Sequence, residues 1–159
     1  MRRARRWIDT RMRRALPDDA GSASLEFITA GVLLLVPLVY LVLVMSSLQS
    51  AALGVEGAAR QASRVFVQAE TEAEAHAAAE RAIRVTLADY GLDATDADVA
   101  ITCRPDPADC LTRRGFVTVE IATLVPLPFA PPALALDVPA GVPVQAISTE
   151  QVSRFRAGR

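Results

Sequence analysis

Phe27-Ile28-Thr29-Ala30-Gly31-Val32-Leu33-Leu34-Leu35-Val36-Pro37-Leu38-Val39-Tyr40-Leu41-Val42-Leu43-Val44-Met45 is a run in which only Thr29 and Tyr40 carry a polar side-chain atom. Nineteen residues at ~1.5 Å each give a helix of roughly 28 Å, about the thickness of one bilayer hydrocarbon core. From residue 27 to residue 55 no side chain ionises apart from Tyr40. A stretch this long and this apolar excludes an ordinary soluble domain and predicts a single-span membrane protein. Pro37 lies in mid-span, where a membrane helix tolerates it with a bend.

Toward the N-terminus the chain turns basic. Residues 1–21 carry seven Arg against Asp9, Asp18 and Asp19, and residues 22–159 carry the other ten Arg against 15 acids, which together give the net charge of −1. All 17 basic residues are Arg. A net-basic head on one side of the span, against the charge-balanced Glu56, Arg60 and Arg64 on the other, predicts by the positive-inside rule a cytoplasmic leader over 1–21 and a C-terminal part outside the membrane. The same asymmetry speaks against a nucleic-acid partner, because orientation and anionic lipid headgroups account for an Arg-rich head beside a span. Pro17, Asp18, Asp19, Ala20 and Gly21 close that head with turn-forming residues.

On the other side of the run the pattern predicts that the same helix leaves the bilayer and continues to residue 69, with Ser22 or Ser24 able to cap its start. Leu48, Ala52, Val55, Ala59, Ala62, Phe66 and Ala69 fall on one stripe, and Glu56, Arg60 and Arg64 form a charged ridge on another face. Gly54, Ala58 and Ala62 add a ladder of small residues at spacing four, which lets another backbone approach closely. Either the C-terminal sheet of the same chain or neighbouring subunits cover that stripe.

Residues 70–159 read as a small extracytoplasmic head domain. Thr71 and Glu74 match a capping box opening a second helix that ends near Tyr90, with Gly91 as its stop. Ala75, Ala79, Ile83, Leu87 and Tyr90 make its expected buried face. From Asp98 onward the apolar period becomes two: Val99 and Ile101, then Val117, Val119 and Ile121, then Val142, Val144 and Ala146. Three short antiparallel strands are predicted, with Pro143 placing the third at an edge or making its pairing irregular. An apolar loop with prolines 126, 128, 131, 132 and 139 separates the second from the third. The fold class is therefore α+β: a long transmembrane helix over 22–69, continuing into a domain of one helix and a three-stranded antiparallel sheet.

Cys103 and Cys110 enclose six residues, Pro105 and Pro107 among them, and an outer location favours a disulfide. Two free thiols or half of a metal site are the alternatives. Zinc needs four ligands, and the sole His, His76, has no partner near it in sequence. No phosphate loop, nucleophile elbow or metal cluster is present in the sequence. No catalytic residue, cofactor, metal or small-molecule substrate is expected, so an enzyme is not the reading.

The junction between head and span is Gly21-Ser22-Ala23-Ser24-Leu25-Glu26-Phe27. A Gly lets the backbone extend into a protease cleft without a side chain in the way. A carboxylate at the bilayer edge is costly unless neutralised, so Glu26 needs a partner or snorkels toward water. The junction resembles the processing site of type IV prepilin-like proteins. That resemblance implies a membrane aspartic peptidase cutting after Gly21, Ser22 as the new N-terminus, and Glu26 with Phe27 as the Glu-Phe pair of this branch. The α-ammonium of Ser22 would then lie one helical turn from Glu26, or an adjacent subunit's ammonium would serve instead.

The order of basic head, this junction, an apolar helix with a central Pro and then a small-residue helix resembles the TadE-like family of the tight-adherence systems, pseudopilins of the apparatus that builds Flp-type pili. The resemblance covers residues 21 to about 65. More weakly, the paired-Cys hairpin, Val125-Pro126-Leu127-Pro128, and Val144-Gln145-Ala146-Ile147-Ser148-Thr149-Glu150 before Arg154-Phe155-Arg156 are similar to longer members. It implies a minor pilin or pseudopilin in the bacterial inner membrane, with the lipid bilayer, a prepilin peptidase, other pilus subunits and the Tad assembly platform as partners. Two alternatives stand beside it. One is an uncleaved single-pass protein whose outer domain binds another envelope component; the other is signal-peptidase cleavage at Ser50-Ala51-Ala52.

Overall fold

The computed structural model describes residues 22–127 and 141–156. Gly21, the basic head and most of the Pro-rich stretch lie outside the described residues. The elements in chain order are α1 (Ser22–Gln68), α2 (Glu72–Asp89), a short 3₁₀ turn (Ala94–Asp96), β1 (Ala97–Arg104), β2 (Phe116–Pro126) and β3 (Gly141–Gln151). The chain divides into two compact units, Met1–Val42 and Leu43–Arg159, and the division falls inside α1.

Within the first unit, α1 is apolar on every side: Leu25, Leu33, Leu34 and Leu41 are all more than half exposed. Its most apolar window has a mean hydropathy of 2.7 with no residue buried. A helix apolar all round and uncovered by its own chain is suited to lipid rather than to water. It is long and apolar enough to cross a membrane. Pro37 lies inside the helix. Ser22 and Ser24 are both already helical, so neither is the residue before the helix that would cap it.

Within the second unit, the last turns of α1 pair with α2 as an antiparallel hairpin. Phe66 meets His76 edge-on at 5.0 Å between ring centroids, Gly57 lies beside Thr86, and Gly54 lies beside Tyr90. The small residues of α1 are thus used within the chain. Val55, Ala58, Ala59, Ala62 and Phe66 of α1 share one core with Ala75, Ala79, Ile83 and Leu87 of α2 and with Val117, Val119 and Ile121 of β2. The stripe is shifted from the sequence expectation at one point: Ala52 is exposed and Ala51 is 2% exposed. Alanines stand at both positions, so periodicity alone had little to choose between them.

α2 starts on the expected capping box. Thr71 Oγ1 accepts from the Glu74 N–H and Glu74 Oε2 from the Thr71 N–H, both at 3.2 Å. Gly91 follows its end at φ +71°, a left-handed position that costs a glycine little. Ala75, Ala79, Ile83 and Leu87 are buried, but Tyr90 is 42% exposed. Its ring covers the Gly54 end of the hairpin from outside the core.

The sheet is antiparallel in the order β1-β2-β3. Val117, Val119, Ile121, Thr123 and Val125 of the central strand are buried, and Phe116, Glu120 and Leu124 point to the other, uncovered face. β2 extends to Pro126, so residues 124–126 belong to the strand and not to the loop expected there. Pro143 sits in the outer strand opposite Leu124, which matches the edge expected for it. Val99 shares the inward register of Ile121 yet is 42% exposed, because β1 is the other edge of the sheet. Asp93 caps the 3₁₀ turn, and its carboxyl is held below the usual carboxylate range by the Thr95 N–H and then the Thr95 hydroxyl.

Candidate functional site

The junction segment enters the structure as the first turns of α1. Ser22 is the first residue of that helix, Leu25 is 68% exposed and Phe27 is 80% exposed. Glu26 is exposed as well. Helical spacing places Ser22 and Glu26 on one side, one turn apart. The Thr29 hydroxyl donates to the Leu25 carbonyl at 2.7 Å, satisfying the only polar side-chain atom of the next turn against its own backbone. Leu25, Glu26, Thr29, Ala30 and Leu33 then line a shallow concavity along the helix.

Chemically this is a carboxylate in the second turn of a helix, followed by a long apolar surface. A carboxylate there can accept from an ammonium placed at the helix start, one turn before it. Gly21 lies outside the described residues.

The two cysteines are brought together. Cys103, the penultimate residue of β1, is bonded to Cys110, with their Cα atoms 5.1 Å apart. The bridge is held to the helices by a contact the sequence did not reveal: Glu72 Oε1, in the first turn of α2, accepts from the Cys110 N–H at 2.8 Å. Asp106 and Asp109 accept from the backbone N–H groups of Ala108 and Leu111, which makes them turn formers. Among the described residues no cluster of His, Cys, Asp or Glu is placed to hold a metal ion.

Two further contacts fix the second unit. The Ser63 and Ser148 hydroxyls lie 2.9 Å apart between α1 and β3, with Ser63 fully buried and also donating to the Arg60 carbonyl at 3.0 Å. The Arg156 guanidinium donates to the carbonyls of Val67, Ala69 and Glu70 at 3.3, 2.5 and 2.9 Å. Val67 is in the last turn of α1, where carbonyls lack intrahelical partners, and Ala69 and Glu70 lie just past it, so Arg156 ties down the end of the helix and the start of its connection from 86 to 89 residues away in sequence. No local signal marks either pair.

Ala51, in the alternative signal-peptidase motif, packs as part of the continuous α1. No family model matches the chain, and no curated protein or solved structure matches it.

Proposed function

We propose that this chain is a membrane-anchored pseudopilin or minor pilin of the TadE-like type, working in a Tad/Flp-type assembly by packing rather than by catalysis. The observation that carries the reading is the sequence Gly21-Ser22-Ala23-Ser24-Leu25-Glu26-Phe27, whose residues from Ser22 on form the start of α1. There a single carboxylate precedes a lipid-suited surface that runs without interruption into a folded α+β unit.

In this reading residues 1–21 are a cytoplasmic leader, a prepilin peptidase cuts between Gly21 and Ser22, and Glu26 neutralises an N-terminal ammonium, its own or a neighbour's. Before assembly the first half of α1 holds the protein in the inner membrane. In an assembly, that surface packs against other subunits' helices, and the stagger that pairs Glu26 with an ammonium sets their register. The disulfide-braced unit stands outside the membrane. Gly54, Ala58 and Ala62, the close-approach ladder of α1, are already packed within the second unit, so contacts with other subunits fall to the exposed apolar half of the helix. The unit's size relative to the single-helix major pilins of the resembled family supports a minor role.

Intact mass and N-terminal sequencing of the protein extracted from its native membranes test the reading. A start at Ser22 supports it. A start at Met1 replaces it with an uncleaved single-pass envelope protein, and a start at Leu53 means release of a secreted domain.

A further inference from the structure

The end of the sheet beside the disulfide loop gathers arginines that form no salt bridge among the described residues. Arg104 closes β1, and Arg113 and Arg114 precede β2; Arg154 follows β3. All four are exposed. The salt bridges among the described residues are Glu56 with Arg60 and Glu80 with Arg84, both on helices. The nearby Asp106 and Asp109 are occupied with backbone N–H groups of their own loop.

Register puts Arg104, Phe116 and Gln151 in one row across the uncovered face of the sheet, and Thr102, Thr118 and Thr149 in the next. Arg104, Pro105, Arg114, Phe116 and Thr149 line a groove of about 680 Å³. Arg114 also lines an adjoining groove of about 480 Å³ with Arg154 and Phe155.

Arg114 is held in this position at a conformational cost. Its φ of 62° makes it the only non-glycine residue with positive φ among the described residues, in a region that favours Gly or Asn. Its N–H donates to the Val152 carbonyl at 3.2 Å, and its carbonyl accepts from Gln151 Nε2 at 3.3 Å. A Cβ on the neighbouring Gly115 would lie 2.9 Å from the Thr112 carbonyl oxygen and 3.1 Å from that of Arg104. Backbone strain that the surroundings enforce is found at functional sites more often than elsewhere.

We propose that this groove binds an acidic polysaccharide, with Arg104 and Arg114 forking onto its carboxylates and Phe116 giving a sugar ring a flat apolar face. Arginine's planar fork matches a carboxylate, and an exposed ring beside threonine hydroxyls suits the mixed apolar and hydroxyl surface of a sugar. The adjoining groove beyond Arg114 calls for a chain with repeating acidic groups rather than a single sugar. Single-stranded nucleic acid, the other polyanion, is bound on successive stacking platforms, whereas the larger groove has one ring, Phe116, and the Phe155 ring of the adjoining groove is already faced by the Arg154 guanidinium at 4.6 Å. The site does not depend on processing at Gly21.

The test is binding of full-length protein in detergent to immobilised polygalacturonate, with neutral dextran and a single-stranded oligo(dT) as comparison probes. Arg114→Gly removes the guanidinium while suiting the backbone, so it is combined with Arg104→Gln; Arg81→Gln, on the exposed surface of α2, is the control. The Arg of residues 1–21 contribute equally to every variant. The double variant should bind polygalacturonate at least tenfold more weakly than wild type, with Arg81→Gln unchanged. Phe116→Ala should weaken binding without altering its salt dependence. Equal binding by wild type and the double variant overturns the proposal, as does equally tight binding to dextran. Oligo(dT) bound more tightly than polygalacturonate through the same two arginines replaces the polysaccharide with nucleic acid. Circular-dichroism melting of each variant separates lost binding from lost folding.

Discussion

Gly54 of α1 and Tyr90 after α2 are in closest approach: a Cβ built on Gly54 would lie 2.8 Å from both Cβ and Cγ of Tyr90. The atoms it would strike include the stem of the tyrosine, which cannot swing aside without moving the end of α2. Glycine in a helix interior costs about 1 kcal/mol relative to alanine, so the close approach offsets a local penalty. It also identifies what occupies this rung of the small-residue ladder, namely the partner helix of the same chain.

Gly54→Ala should therefore destabilise the second unit despite its better helix propensity, by roughly 1 to 3 kcal/mol, the usual cost of overpacking. Thermal melting of the detergent-solubilised protein checks this. Tyr90→Gly in the same chain should recover part of the loss, whereas simple additivity of the two substitutions would disprove the coupling.

Arg156 donates to the Val67 carbonyl in the last turn of α1 and to those of Ala69 and Glu70 just past it, beside a helix C-terminus whose dipole also favours a cation. Arg156→Gln keeps some donor capacity but loses the charge and the fork; hydrogen bonds involving a charged group contribute about 1.5 to 3 kcal/mol. The expected result is faster amide hydrogen exchange in the last turn of α1, with the hairpin of β2 and β3 little changed. Unaltered exchange in that turn would show that the carbonyls do not depend on Arg156.

These two contacts mark where the sequence stops being informative. α2 was legible from both ends because Thr71, Glu74 and Gly91 act within a few residues of where they stand, and β2 was legible because Val117, Val119 and Ile121 alternate on a half-buried strand. The cysteine pair was legible from its spacing. Arg156 reaching Ala69, Ser63 meeting Ser148 and Glu72 meeting Cys110 depend on the docking of helices onto the sheet. Nothing next to these residues reports it. Val99 and Tyr90 follow an apolar period yet remain partly exposed, because period assigns a side chain to a face and not to the covered part of that face. At the candidate site, Glu26 and the apolar run stood out by composition, whereas the arginines around Phe116 come from three separate strand ends.

Reduction of Cys103–Cys110, seen as the gain of two hydrogens in intact mass, should lower stability. On the chain-entropy estimate a loop this short is worth roughly 2 to 3 kcal/mol. Glu72 should amplify the effect, since its carboxylate holds the Cys110 N–H at 2.8 Å and so couples the loop to α2. Urea melts of oxidised and reduced protein, repeated with Glu72→Gln, measure both terms. A reduction penalty identical in the two backgrounds would leave the loop and the helix energetically independent.

Gly21→Ala and Glu26→Ala should fail at different steps. Membrane insertion follows the hydrophobicity of the span, which neither substitution touches, so both proteins should fractionate with membranes. Gly21→Ala places a methyl group at the proposed cut and should accumulate with residues 1–21 attached, whereas Glu26→Ala should be cut normally. Its defect should come later, because without the carboxylate the Ser22 ammonium has no partner at the edge of the apolar helix. Crosslinking followed by size analysis of membrane extracts should then show loss of higher assemblies for Glu26→Ala. Glu26→Asp should recover some of them, its shorter side chain keeping the charge on the same helical face. Normal cleavage of Gly21→Ala would remove the prepilin-type processing from the proposal, and wild-type assemblies in Glu26→Ala would remove the pairing role.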